Sequence, residues 1–343
     1  MKRPAGGARP RITRRGIQIA LGLLWSLDGL MQLQPAMLTG RFADEVLRPA
    51  GAGQPAFVSA PVRVLAQIIL HNPVSTDVAF AVIQLALGIG ILYPRATRWA
   101  LAASVAWALS VWYLGEGLGG IFGSGATMLT GAPGAALLYA ILACGVAPQQ
   151  GTDADAQRPA RWLALAWALI WLAGAVRQLL PGSDTNTSVG VAVAMNASGA
   201  PAWLAAIDNH LSALVPYYGV SIVVDLVVLQ AFAGVGVLLS RRIAVTAVSL
   251  GLGLSLVYWV AGQDMGGFWS GTATDPNTAP LVMLLAIAVL GAVPWRQRRS
   301  GVGREALVDS GERARAASPA EGSGTVLRLM AGPARDGGRR RGS

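Results

Sequence analysis

Residues 14–35 read RRGIQIALGLLWSLDGLMQLQP, and residues 160–181 read ARWLALAWALIWLAGAVRQLLP. Each stretch carries arginine at its start, runs for about twenty mostly apolar residues and stops at proline, the length a helix needs to cross hydrocarbon. Shifting the sequence by 146 residues lays one on the other, with Trp25 on Trp171, Gln32 on Gln178 and Pro35 on Pro181. The register continues through Pro55 and Pro201, Gln84 and Gln230, Gly88 and Gly234, Gly90 and Gly236, and Arg95 and Arg241. After one inserted residue the shift becomes 147, pairing Gly119–Gly120 with Gly266–Gly267, Ala126–Thr127 with Ala273–Thr274, and Pro133 with Pro280. Rare residues held in one register over such a length are the mark of an internal repeat.

Eight apolar runs predict spans at 17–36, 76–93, 99–115, 133–147, 162–180, 217–239, 243–261 and 279–294. The predicted fold class is all-α: a polytopic membrane protein of about eight transmembrane helices arranged as two parallel four-helix repeats. Four spans per copy is an even number, so both copies share one orientation and are not inverted repeats. The predicted organisation is a basic N-terminal tail (1–16), a first repeat (17–150), a cytoplasmic linker (151–161), a second repeat (162–295) and an arginine-rich disordered tail (296–343). Residues 55–72 and 201–215, apolar but broken by prolines, read as interfacial helices on the outer side.

Composition agrees with lipid contact. Of 343 residues 53% are hydrophobic and only 13% charged, whereas a soluble domain carries about 25% charge. The net charge of +10 does not point to nucleic acid, because the arginines sit in tails and short loops rather than on one basic face. With the N-terminus inside, 23 of the 27 Lys and Arg residues fall on the cytoplasmic side, as the positive-inside rule requires. Both termini are then cytoplasmic and the chain belongs in the cell membrane. The basic-then-apolar start also resembles a signal peptide, and Arg14–Arg15 a twin-arginine signal. No clean cleavage site follows, however, and the helix recurs in mid-chain, so it reads as a retained span.

Polar groups inside the apolar runs are the candidate binding residues. Trp25, Asp28 and Gln32 share one face of the first span. The second copy keeps Trp171 and Gln178 but has Gly174 in place of the acid, with Arg177 beside it. Asp28 reads either as a substrate or proton site between the halves or as a packing residue, neutral or paired with Arg177; intramembrane acids are costly. Asp225 is a second candidate buried acid, and Asp77 lies on the Gln84 stripe near the outer surface. The Gln84/Gly88 and Gln230/Gly234 pairs read as packing glue between helices.

The loop before the last span of each copy, WYLGEGLGGIFGSGATMLTGAPG and YWVAGQDMGGFWSGTATDPNTAP, is glycine-rich and carries Glu116, Asp264 and Asp275. It reads either as a re-entrant segment whose free backbone groups bind an ion, or as a tight outer turn. GEGLGG at 115–120 fits a dinucleotide fingerprint in letters only, since it follows a membrane helix rather than a strand. His71 and His210 lack partners at ligand spacing, and no metal site is assigned. Cys144, the only cysteine, reads as a small buried filler. No nucleophile elbow or P-loop marks an enzyme, and the residues themselves name no cofactor.

The four-span unit, with Trp and a polar residue in its first helix and a glycine-rich turn before its last, resembles the DoxX/DoxD-like membrane family over residues 17–295. That resemblance implies an accessory or anchoring subunit of a membrane redox assembly, with a redox partner subunit or quinone nearby. The absent CxxC pair puts thiol chemistry by this chain in doubt. Two other readings compete: a small-solute or ion transporter with a site between the repeats, and a purely structural or assembly protein.

Overall fold

A computed structural model describes residues 13–148, 158–218 and 221–292. The described residues are all-α, with no strand among them. In chain order the helices are α1 (Arg14–Met31), α2 (Arg48–Gly51, preceded by a π turn over Ala43–Leu47), α3 (Ala56–His71), α4 (Pro73–Leu92), α5 (Thr97–Leu114) and α6 (Ala135–Val146). They continue with α7 (Arg158–Gln178), α8 (Asn186–Asn196), α9 (Ala202–Leu214), α10 (Ile222–Gly236), α11 (Arg241–Ala261) and α12 (Thr278–Ala292). By length and composition α4 and α11 are long and apolar enough to cross a membrane. Helix α3 and the short helices α6 and α12 are apolar but shorter.

Local chemistry sets the ends. The Thr13 hydroxyl accepts from Gly16 N–H at 3.0 Å and caps α1, supplying one of the helix's orphan donors with a partner. Pro73 opens α4, where the missing N–H costs nothing. Thr185 and Ser188 form a reciprocal capping box on α8. A helix lies on each of the eight apolar runs, with two adjustments. The first ends at Met31 rather than 36, giving way to turns that lead to Pro35. The sixth begins at Ile222 rather than 217. The outer segments are helices α3 and α9, and Pro61 lies inside α3. Two elements went unforeseen, the Ala43–Gly51 pair and α8; both are short and carry no long apolar run. Residues 1–12 of the predicted N-terminal tail (1–16), 151–157 of the predicted linker (151–161) and the whole predicted C-terminal tail (296–343) lie outside the described residues, while helices α1 and α7 begin within the first two at Arg14 and Arg158.

The packing scheme of α1, α4, α5 and α6 recurs in α7, α10, α11 and α12. Helix α1 packs on α4 and α7 on α10; α4 on α5 and α10 on α11; α5 on α6 and α11 on α12. The two groups meet where α6 touches both α7 and α12, and α12 also touches α1. The α1–α4 crossing is close because Gly22 and Gly88 face each other: a Cβ on Gly88 would lie 2.3 Å from Ser26 Oγ and 2.7 Å from Gly22 O. Small residues permit such backbone approach. The turns after α5 and α11 share an unusual backbone. Residues 117–120 have φ of 54°, 58°, 64° and 72°, and residues 264–267 have 44°, 48°, 84° and 62°. Leu118, Asp264 and Met265 hold this left-handed conformation at a steric cost that side chains normally avoid, so surrounding contacts must impose it.

The exposed position of Cys144 on α6 corrects the expectation of a buried filler. An apolar run predicts burial against protein or lipid alike, and here the thiol points away from protein.

Candidate functional site

One cavity of about 170 Å³ lies within the α1, α3–α6 group and is closed on one side by Thr274 and Asp275 of the loop before α12. A cavity of roughly this volume, ~150 Å³, holds a benzene-sized molecule. Its floor is built from α1. Trp25 is fixed by a hydrogen bond from its indole N–H to Ser104 Oγ at 2.8 Å and by the Tyr139 ring, 4.2 Å away between centroids. Asp28 and Gln32 lie one and two turns along the same face. Helix α4 adds Phe80 and Gln84, α5 adds Trp107, Ser110 and Val111, and Glu116 follows α5.

What marks this cavity is the convergence of several polar atoms without partners on one space. Gln32 Oε1, Gln84 Oε1, Trp107 Nε1 and Glu116 Oε2 are buried without a hydrogen-bond partner, and Asp28 Oδ1 and the Tyr139 hydroxyl have no partner of good geometry other than each other. Most buried polar atoms are paired, and each exception calls for a reason. Asp28 and Tyr139 retain 1% and 2% of their accessible surface, so bulk water does not serve them. No lysine, arginine or histidine lines the cavity. Asp275 differs from the other two acids. It accepts from Asn277 N–H at 2.7 Å and from the Thr274 hydroxyl at 2.7 Å, which places its carboxyl at the cavity wall with both oxygens paired.

Of the candidate binding residues named from the sequence, Asp28, Gln32, Glu116 and Asp275 meet at this cavity, joined by Trp25 and by Gln84, which had read as packing glue; Arg177, Gln178, Asp225 and Asp264 do not. Arg177 does not pair with Asp28. Its guanidinium donates to the carbonyls of Ala126 (3.0 Å), Ile121 (2.9 Å) and Gly123 (2.5 Å), clamping the first glycine-rich loop from the second half. Backbone carbonyls outcompeted the acid because the loop brings three of them within reach of one planar donor set. Gln178 is buried and donates to Ser183 O at 2.6 Å. Asp225 is exposed on α10, correcting the expectation of a buried acid; one apolar run does not tell which helix face meets protein. Asp264 accepts from Trp269 Nε1 at 3.1 Å and belongs to the turn, not the cavity. Asp77 and Asp208 are fully buried with unpaired carboxyl oxygens, and nothing in the structure explains them.

The corresponding region of the second half is filled. The 147 register places Tyr258 at the position of Val111, Gln263 at Glu116, Leu254 at Trp107 and Met128 at Asp275, while Gly174 stands at Asp28. The Tyr258 hydroxyl accepts from Gln230 Nε2 at 3.1 Å, although Gln230 Oε1, like Gln84 Oε1, has no partner. A side chain on Gly174 would collide with Met128 Sδ, 2.6 Å from its Cβ position, and with Gln230 Oε1. Met128 thus reaches from the first loop into the second half, while Asp275 reaches from the second loop into the first. Glu116 Oε1 accepts from Ala136 N–H at 2.9 Å, and Gln263 Oε1 accepts from Ala279 N–H at 2.9 Å. The bond to the helix start is kept in both halves, but only the first keeps a carboxyl. Trp107, Val111 and Tyr139 escaped the sequence reading because aromatic and aliphatic residues in apolar runs signal only burial. Comparing the two copies position by position exposes them, since each differs from its partner.

Burial and the neighbouring Asp275 charge push Glu116 up to about 8. A folded-state value above the ordinary one means that the unfolded chain releases its proton first as pH rises. Stability therefore falls between pH of about 4.5 and about 8 and levels off beyond. Replacing Glu116 by Gln keeps the bond to Ala136 and removes this loss. The variant should melt at higher temperature than the parent at pH 8, by roughly 1–3 kcal/mol of stability, and equally at pH 4.5. Parallel melting curves at both pH values would show that Glu116 titrates normally.

No match to the chain is found among protein-family models, curated proteins or solved structures.

Proposed function

We propose that the chain is an integral membrane protein of eight spans, two four-helix units of one orientation, that holds a single small molecule in its first unit. The unpaired polar atoms around a cavity that is filled in the second unit carry this reading. Asp77 and Asp208 are also buried and unpaired, but only Asp28 and Glu116 converge on one cavity with aromatic walls, where a ligand would offset their cost. The recurrent helix pairings and the matching left-handed turns support the duplication. Orientation draws support from the Arg15 guanidinium, which bonds the carbonyls of Ile91 and Leu92, and from Gln18, which donates to Val146 O. The start of α1 and the ends of α4 and α6 thus share one side with Arg95 and Arg98.

The cavity serves both the accessory redox subunit that the DoxX-like resemblance implies and the transporter alternative. In the first the ligand stays; in the second it crosses. Its position mainly inside the first unit, with a single wall from the second unit's loop, favours retention.

The site is tested by Val111→Tyr, which copies the second unit's filling. Small molecules released from the purified protein should include one species absent from this variant by mass spectrometry; identical profiles would remove the cavity as a binding site. Topology is tested with the native thiol. Cys144 should resist a membrane-impermeant maleimide in intact cells and react once the membrane is opened. Tyr217→Cys, at a residue 87% exposed, should react in intact cells. The reverse pattern would overturn the orientation.

A further inference from the structure

We infer that the occupant of the cavity is a small organic monocation, an amine with an aromatic or compact aliphatic body, whose ammonium group lies between Asp28 and Glu116. This rests on the binding reading above and names its ligand. Two carboxyls with unpaired oxygens face one space, no basic side chain lines it, and a third acid, Asp275, adds negative potential from the facing loop. A buried acid without a partner stays protonated or costs stability, and a cationic ligand is the group that lets it ionise. The remaining wall is aromatic. Trp25 and Tyr139 stack beside Asp28, and Phe80 meets Trp107 edge-on at 5.5 Å. Aromatic faces attract ammonium groups and take up the apolar body.

A metal ion fits poorly. Among the described residues no three His, Cys, Asp or Glu side chains converge as a metal site requires. A neutral quinone head would use Trp107 N–H, Tyr139 O–H and a protonated carboxyl, but it carries no positive charge to meet three acids around one space. The volume limits the body to about a single ring with a short side chain.

The test uses the full chain in detergent, with tryptophan fluorescence reporting binding of three probes: 2-phenylethylammonium, the neutral isostere 2-phenylethanol, and a dimethylbenzoquinone. The amine should bind at least ten-fold more tightly than the alcohol. Asp28→Asn and Glu116→Gln should each weaken the amine about ten-fold and leave the alcohol within about three-fold. Melting curves of the two isosteric variants separate lost binding from lost fold. If the alcohol or the quinone binds as well as the amine, the cation assignment fails while the cavity stands. If none of the three binds and Val111→Tyr changes nothing, the binding reading falls with it.

Discussion

Replacing Gly88 by valine should lower the stability of the folded protein by roughly 3 kcal/mol or more, at the upper end of what overpacking costs. The Cβ position at 88 lies 2.3 Å from Ser26 Oγ, 2.7 Å from Gly22 O and 2.8 Å from Ser26 N. Two of those three neighbours are backbone atoms of α1, which yield only if the helices separate. Alanine at 88 should already be destabilising, although alanine normally improves a helix over glycine by about 0.5–1 kcal/mol. Gly234, its partner in the second copy, is the control. There a Cβ would meet Leu172 Cγ at 2.9 Å and Ala168 O at 3.1 Å, a flexible side chain and a looser carbonyl. Gly234→Ala should fall within about 1 kcal/mol of the parent, the helix gain offsetting the crowding. Thermal unfolding in one detergent decides the matter: equal melting temperatures for the two alanine variants would show that the α1–α4 crossing is not the tighter one.

Arg177→Ala is the second large change expected. Its three bonds to the carbonyls of Ile121, Gly123 and Ala126 are charge-assisted, each worth about 1.5–3 kcal/mol where water is excluded. Arg177 is partly exposed, and water replaces some of that, so a net loss of about 3 kcal/mol is expected for the whole set. Lysine, with a compact charge in place of the planar fork, should recover less than half. The loss is local at first: the loop at 121–131 should become sensitive to a nonspecific protease before the helices unfold. An unchanged cleavage pattern would mean that Gln263, which donates to Met128 O at 3.0 Å, and Thr278, which donates to Gly131 O, hold the loop alone.

The helices were largely legible because about twenty apolar residues between charges and prolines admit few other readings. The short elements were not, since the Ala43–Gly51 turn and α8 form only against their neighbours. Asp28, Gln32, Gln84, Glu116 and Asp275 meet at one cavity, because an acid or amide in or beside an apolar run carries information by its cost. The other half of the site is tertiary. Tyr139 looks like any core aromatic until Trp25 is found against it, and nothing in the local sequence says that Met128 reaches across to Gly174. Asp225 misled for the converse reason, since a carboxylate in an apolar run reads as buried until the helix face is known.

The two glycine-rich loops cross over, Met128 into the second half and Asp275 into the first. This has a consequence for the order in which the protein takes shape. When a ribosome has delivered α1 to α6, their cavity still lacks the wall made by Thr274 and Asp275, which follow only after α11. The first half can therefore mature only after the second glycine-rich loop has docked, and under the binding proposed above ligand capture reports that both halves are in place.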